Sequence, residues 1–282
     1  MTILVTGGNG QLGCSLRLAS AESEHRYIFT DVEELDITSA AAVEEFFCRE
    51  KPDVVVNCAA YTAVDMAEDN EMPADRINHL AVALLADACR RYNATLIHIS
   101  TDYVFSGEAA APYGEEVEPA PINAYGRTKL AGERAIAESG CRSIIIRTSW
   151  LYSENGKNFV KTMLSLMASR SEVRVVADQF GTPTYAGDLA RAITYIINSG
   201  QCDKSGIYHY SNLGECSWYD FACEIARLSG SDCTVTPCTT ADYPTKAHRP
   251  RCSTLDKSKF IATFGIAIPQ WQHSLVQAVR RV

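Results

Sequence analysis

No apolar run in this chain approaches the roughly 18 residues of a membrane-spanning helix. Basic residues are also in deficit: 26 Lys and Arg stand against 34 Asp and Glu, a formal net charge of −8. That balance speaks against a nucleic-acid or anionic-membrane partner, although a local basic pocket for a small anion stays open. The opening Met1-Thr2-Ile3-Leu4-Val5-Thr6-Gly7 has no basic leader and too short an apolar run for a secretion signal, so a cytoplasmic protein is expected. There is no internal repeat and no low-complexity tract. The eleven cysteines include no C-x-x-C pair and no zinc-ligand spacing. They are expected to be reduced thiols that pack as small apolar groups, and no metal site is assigned.

What is present is an alternation of short β-branched runs with longer helical patterns. Strands are expected at Thr2–Val5, Tyr27–Thr30, Val54–Asn57, Leu96–Ser100 and Ser143–Arg147. Between them, helices are expected at Gln11–Ala19, Ala40–Arg49, Ala74–Tyr92 and Tyr125–Glu138. Uninterrupted runs such as Val54-Val55-Val56 and Ile144-Ile145-Ile146 belong to strands buried on both faces, as in a parallel sheet. The expected fold class is α/β, a Rossmann doubly wound parallel sheet with a smaller C-terminal α+β lobe. Residues 1–150 form the dinucleotide-binding domain and 151–282 mainly the second lobe, with later segments able to return to the first sheet. In that second half, helices are expected at Phe159–Ala168, Asp188–Asn198, Trp218–Leu228 and Gln270–Arg280. Strands are expected near Val173–Val176 and Gly206–Tyr210, and Cys233–Ser253, with Pro237, Pro244 and Pro250, reads as mostly loop.

The first strand runs into Gly7-Gly8-Asn9-Gly10-Gln11-Leu12-Gly13. Glycines there permit a tight turn, close approach of a pyrophosphate and close packing of helix on strand. The helix that follows offers free N–H groups and its positive dipole end to phosphate. Asp31 ends the second strand 18 positions after Gly13, near the spacing of an acidic residue that binds adenosine ribose hydroxyls. Asp36 and Ile37 follow as possible adenine neighbours.

A second motif opens the helix after the fourth strand, where Tyr125 and Lys129 stand at i and i+4 on one face. Ketone reduction needs hydride on carbon and a proton on oxygen. A phenol can give that proton, and a neighbouring ammonium tunes it. The end of the fourth strand supplies Ser100 and Thr101. Strand alternation turns only one of them toward the site, and Thr101 is favoured as the partner of the carbonyl oxygen.

On these residues the chain resembles the extended short-chain dehydrogenase/reductase superfamily, and within it the dTDP-4-dehydrorhamnose reductase group. The matching stretches are Val5–Gly13, Val56–Asp65, Ser100–Phe105, Tyr125–Lys129, Arg147–Trp150, Asp178–Thr184 and Arg249-Pro250, nearly the whole chain. The resemblance implies reduction of the C4 ketone of dTDP-4-dehydro-β-L-rhamnose by NADPH or NADH. It implies Tyr125, Lys129 and Thr101 as the catalytic trio. Gly7, Gly10, Gln11, Leu12, Gly13, Asp31, Asp36, Ile37, Ala59, Ala60 and Tyr61, with Tyr125 and Lys129, would line the cofactor. Thr101, Asp102, Trp150, Val64, Tyr103 and Arg249 would meet the dTDP-sugar, with Trp150 covering the apolar side of the deoxysugar and Arg249 pairing with the diphosphate. A monomer or homodimer is implied. The same scaffold also serves nucleotide-sugar epimerases, dehydratases and a non-catalytic NADP-binding regulatory subunit of methionine adenosyltransferase. The intact Tyr125, Lys129 and Thr101 favour catalysis.

Overall fold

Six strands, the inner four rich in Val, Ile or Leu, assemble into one parallel sheet in the order Gly206–His209, Ser143–Thr148, Thr95–Thr101, Val54–Asn57, Thr2–Thr6 and Arg26–Thr30. A computed structural model describes residues 1–282. The first half runs β1 (Thr2–Thr6), α1 (Gln11–Ala19), β2 (Arg26–Thr30), α2 (Ala40–Glu50), β3 (Val54–Asn57), α3 (Val64–Asp69), α4 (Glu71–Asp75), α5 (Ala81–Tyr92), β4 (Thr95–Thr101), α6 (Ala124–Ser139) and β5 (Ser143–Thr148). The second half runs β6 (Leu151–Tyr152), α7 (Phe159–Ser169), β7 (Glu172–Val176), β8 (Phe180–Gly181), β9 (Thr184–Tyr185), α8 (Ala186–Asn198), β10 (Gly206–His209), β11 (Cys216–Ser217), α9 (Trp218–Ser229), β12 (Thr234–Cys238), α10 (Ser258–Phe264) and α11 (Trp271–Val279).

Strand alternation sorts the sheet's side chains into two cores. Ile3, Val5, Val54, Val56, Ile97, Ile144 and Ile146 pack with α1, α8 and α10 on one face. Leu4, Val55, Leu96 and Ile145 pack with α2, α5 and the end of α6 on the other. Each such side chain, fully removed from water, contributes about 1.5–3 kcal/mol. This two-sided burial explains why the strands read as unbroken apolar runs.

The second half is divided between two tasks. Strand β10, α8 and α10 return to the sheet and its first core. Helices α7, α9 and α11 enclose a separate core with Val173, Val175 and Trp271, beside the two-stranded pair β7–β12. Cys233–Ser253 is mostly loop, as expected, but Thr234–Cys238 forms β12. Pro237 lacks an N–H, but in a two-stranded sheet every strand is an edge, and an edge tolerates proline. No helix is long and apolar enough to cross a membrane.

The long helix expected over Ala74–Tyr92 is present, but it begins at Glu71 and carries a π-helical turn at Arg76–Leu80. The wider turn places Asn78, fully buried, against Tyr61 and Thr128. Its carbonyl lies where a side chain at position 132 would stand, only 2.2 Å from a Cβ there, so α6 passes this point at Gly132.

Candidate active site

Strand β1 ends at the glycine loop beside the switch point, where β2 lies on one side of β1 and β3 on the other. Gly7 adopts φ +64°, and a Cβ on it would fall 2.7 Å from the Ala59 amide nitrogen. A Cβ on Gly13 would fall 2.4 Å from the Gly7 carbonyl oxygen, which is backbone and cannot yield. Gly13→Ala is therefore expected to weaken NADPH affinity at least about tenfold, or roughly 1.4 kcal/mol; a fluorescence titration with unchanged affinity would count against this geometry.

Helix α1 starts after Gly10 with no side chain capping its first turn. Its N–H groups are thus free for an anion, which fits a dinucleotide pyrophosphate. Asp31 lies beside the loop, accepting from the Asn9 amide at 3.2 Å. Asp36 accepts from Thr38 at the surface, whereas the Ile37 side chain packs into the second core. Leu12 likewise faces the first core. Ala59 and Ala60 follow β3, half-buried, and Tyr61 has both its N–H and its carbonyl held by Asn78. Gln11 reaches across to the second lobe. Its Oε1 accepts from Ser153 Oγ at 3.2 Å and from Asn158 Nδ2 at 3.0 Å, and Asn158 caps α7.

The other side of the site is built by the ends of β4 and α6. Asn123 caps α6, its Oδ1 accepting from the Gly126 amide at 2.8 Å, while its Nδ2 donates to the His248 carbonyl at 2.9 Å. One side chain thus starts the helix and fastens the loop that carries Arg249. Strand β4 separates its two hydroxyls as alternation requires. Ser100 donates to Glu133, which is buried and paired through two oxygens with Arg147 of β5. Thr101 stays at the strand end, donating to Asp102 Oδ1 at 3.0 Å and accepting from the Tyr103 amide at 3.2 Å, close to the Tyr125 phenol.

Tyr125 is half-buried, and its ring meets Tyr103 edge-on with centroids 5.7 Å apart. Burial pushes its phenol up to about 12, against the downward pull of the Thr101 hydrogen bond. The phenol therefore holds its proton at neutral pH, the state a donor needs. The expected downward influence of Lys129 on Tyr125 is not among the forces acting on it. Lys129 is itself buried, donates to the Ile99 carbonyl at 2.7 Å and lies 3.3 Å from His98 Nε2. Burial brings its ammonium down to about 8.

Asp102 is 2% exposed, and its Oδ2 has no hydrogen-bond partner. Burial raises its carboxyl to about 6. A folded-state value above the unfolded one favours folding at low pH, and that advantage is lost as pH rises through about 6. Asp102→Asn should therefore stabilise the protein by roughly 3 kcal/mol at pH 8 but little at pH 4. Thermal melts at the two pH values check this; an equal effect at both would refute it.

A cavity of about 730 Å³ opens within the second lobe, lined among others by Phe159, Arg170, Arg174, Trp218, Tyr243 and Arg249; of the site residues expected from the sequence, Arg249 alone lines it. Arg249 is engaged by both oxygens of Asp65, at 3.0 and 3.3 Å, so it stands at this rim as one half of an ion pair. Val64 precedes Asp65 at the start of α3. Trp150 stacks flat on Trp218 with centroids 3.5 Å apart, in a left-handed backbone conformation at φ +47° that non-glycine residues rarely adopt. Its indole passes over Gly181, where a Cβ would approach to 2.8 Å. Sequence reading missed Arg170, Arg174, Phe159 and Trp218, which carry no motif. It also missed Asn57 and His98, although a polar residue closing Val-Val-Val and a histidine inside Leu-Ile-His-Ile were visible signals.

A parallel sheet with a glycine loop at its switch point, and a Tyr–Lys helix after β4, defines a Rossmann-type protein of the extended short-chain dehydrogenase/reductase class. The chain belongs to the family described as the RmlD substrate binding domain, whose model matches residues 1–282. The dTDP-4-dehydrorhamnose reductase of Aggregatibacter actinomycetemcomitans is 42% identical over 283 residues, covering 97% of this chain and 96% of that protein. A solved dTDP-4-dehydrorhamnose reductase from Clostridium acetobutylicum superposes with a TM-score of 0.96 at 45% identity, covering 99% of both chains. One from Bacillus anthracis, in complex with NADP, also gives 0.96, at 38% identity, over 100% of this chain and 99% of that one.

Proposed function

We propose that this chain reduces the C4 ketone of dTDP-4-dehydro-β-L-rhamnose to dTDP-β-L-rhamnose, using NADPH or NADH. The observation that carries the reading is the nearness of Thr101, at the end of β4, to Tyr125, with Lys129 one turn on along α6, at the same carboxyl edge of the parallel sheet as the uncapped start of α1. When bound, the nicotinamide cofactor supplies the hydride. Gly7, Gly10 and Gly13, with the backbone of Gln11 and Leu12, would hold its pyrophosphate, Asp31 and Asp36 its adenosine end, and Ala59, Ala60 and Tyr61 its course across β3; Ile37, packed in the second core, is not the adenine contact expected from the sequence.

The chain's own residues manage the proton. Tyr125 keeps its phenol protonated and passes that proton to the carbonyl oxygen as charge develops there. Thr101 would turn its hydroxyl from Asp102 to the same oxygen, and Lys129, one turn on along α6, would hold the nicotinamide ribose. Asp102, Val64, Tyr103 and Trp150 surround the sugar. Arg170, Arg174 and Arg249 give the second lobe the positive charge that a nucleoside diphosphate needs in an otherwise acidic protein. Residues 1–150 with the returning β10 thus serve the cofactor, and the rest of 151–282 the sugar nucleotide. The protein acts as a monomer or homodimer.

The test is oxidation of NADPH and NADH with enzymatically made dTDP-4-dehydro-L-rhamnose. Oxidised cofactor is expected in stoichiometry with product. A cofactor that copurifies and returns unchanged after turnover would place the chain with the epimerases instead.

A further inference from the structure

Asn57 and His98 have no part in the site described so far, yet both are wholly buried and lead to Lys129. They sit opposite each other in register, Asn57 closing β3 and His98 within β4. Thr6 Oγ1 donates to Asn57 Oδ1 at 2.7 Å, and the Ala59 amide donates to the same oxygen at 3.2 Å. Asn57 Nδ2 lies 3.0 Å from His98 Nδ1, and His98 Nε2 lies 3.3 Å from Lys129 Nζ.

The protons along this chain follow from its fixed end. A backbone N–H can only donate, so the Asn57 atom facing Ala59 is the carbonyl oxygen. The NH₂ group of Asn57 then faces His98 Nδ1, which must accept. A neutral imidazole carries one proton, and it is therefore on Nε2, pointing at Lys129. That N–H needs a lone pair opposite it. A lysine amine has one and an ammonium has none. Charging Lys129 sets two donors face to face in a dry site and leaves a buried N–H without an acceptor.

We propose that Asn57 and His98 form a positioning pair that fixes the imidazole tautomer and so disfavours the ammonium form of Lys129. The other charged group facing Lys129 acts in the opposite sense. Glu133, one turn along α6 and paired with Arg147, favours the charged lysine, whereas the Cys58 thiol, which burial pushes up to about 12, is neutral when Lys129 titrates. Burial and the neighbouring lysine hold His98 far below the ordinary imidazole range, so it faces Lys129 as a neutral ring. The consequence for catalysis rests on the proton-donor reading of Tyr125. A lysine whose ionisation lies close to neutrality can release and regain a proton at working pH, and an ordinary lysine cannot.

The experiment begins with the ¹⁵N NMR spectrum of histidine-labelled protein without cofactor, at a pH above the Lys129 ionisation. His98 should show a bare Nδ1 and a protonated Nε2. Asn57→Asp presents only acceptors, which draws the imidazole proton to Nδ1 and turns a lone pair toward Lys129. His98→Gln can offer its amide oxygen to the ammonium. Both variants should raise the Lys129 ionisation by about one unit or more, a tenfold change in the equilibrium. This is read from the ¹⁵Nζ shift of labelled lysine in the free protein. The loss of kcat at high pH should move upward with it, while KM for NADPH changes little. A proton on Nδ1 in the wild-type protein overturns the proposal, as does a lysine ionisation unmoved in both variants. If the tautomer and the lysine shift appear but no ketosugar is reduced, the pair stands and the proposed function falls.

Discussion

Tyr125→Phe is expected to lower turnover by at least about 100-fold, the scale on which a positioned acid contributes. The change removes one oxygen and leaves the ring, so the edge-on contact with Tyr103 survives. Cofactor affinity should be preserved, because the glycine loop and the uncapped α1 turn lie on other elements. The effect should fall on kcat and kcat/KM together, the pattern of an interaction made in the transition state. The phenol alone has the required state at neutral pH, since burial keeps its proton in place. Thr101 has a hydroxyl too, but its one hydrogen is donated to Asp102 in this structure, and an aliphatic alcohol is a far weaker acid than a phenol. A variant that turned over at the wild-type rate in stopped-flow NADPH oxidation would leave the proton without a source.

The largest expected loss of stability lies about two turns further along α6. Glu133→Ala removes the only carboxylate that meets Arg147, which is 2% exposed in β5. Its guanidinium keeps a face over Phe105, with 5.1 Å to the ring centroid, and a long contact to His209 Nε2 at 3.5 Å. Neither replaces a carboxylate. Breaking a buried pair by removing one partner costs about 3–5 kcal/mol. Ser100 loses its acceptor at the same time. Chemical denaturation should show a large drop in midpoint, whereas a double replacement of Glu133 and Arg147 by apolar residues of similar volume should recover much of it. A single variant as stable as wild type would mean that the pair contributes little to folding.

The same pair marks where sequence reading reached its limit. Gln11–Ala19 and Val54–Asn57 were legible to the residue, because glycines and apolar runs act locally and their physics is contained in a few neighbours. The glycine loop and the Tyr125–Lys129 spacing were legible for the same reason. Arg147 was only the last residue of an apolar strand, and Glu133 one of several charges on a helix; their pairing depends on β5 lying beside β4 under α6. The cavity was illegible on similar grounds. Arg170, Arg174, Trp218 and Arg249 lie on segments far apart in sequence that meet only in the folded chain. Strand β12 was hidden by Pro237, whose missing donor matters only if a neighbour needs it. The π turn was hidden because its cause, the seating of Asn78 against Tyr61 and Thr128, lies outside the helix.

The Gln11 amide gives the two halves of the molecule a shared joint. It belongs to the first turn of α1, yet its oxygen is gripped by the residue that begins α7, and α7 carries Phe159, Thr162, Met163 and Leu166 along one wall of the cavity. The helix that follows the glycine loop and the helix that walls the cavity therefore start from one shared side chain, so a replacement at Gln11 would loosen both beginnings at once.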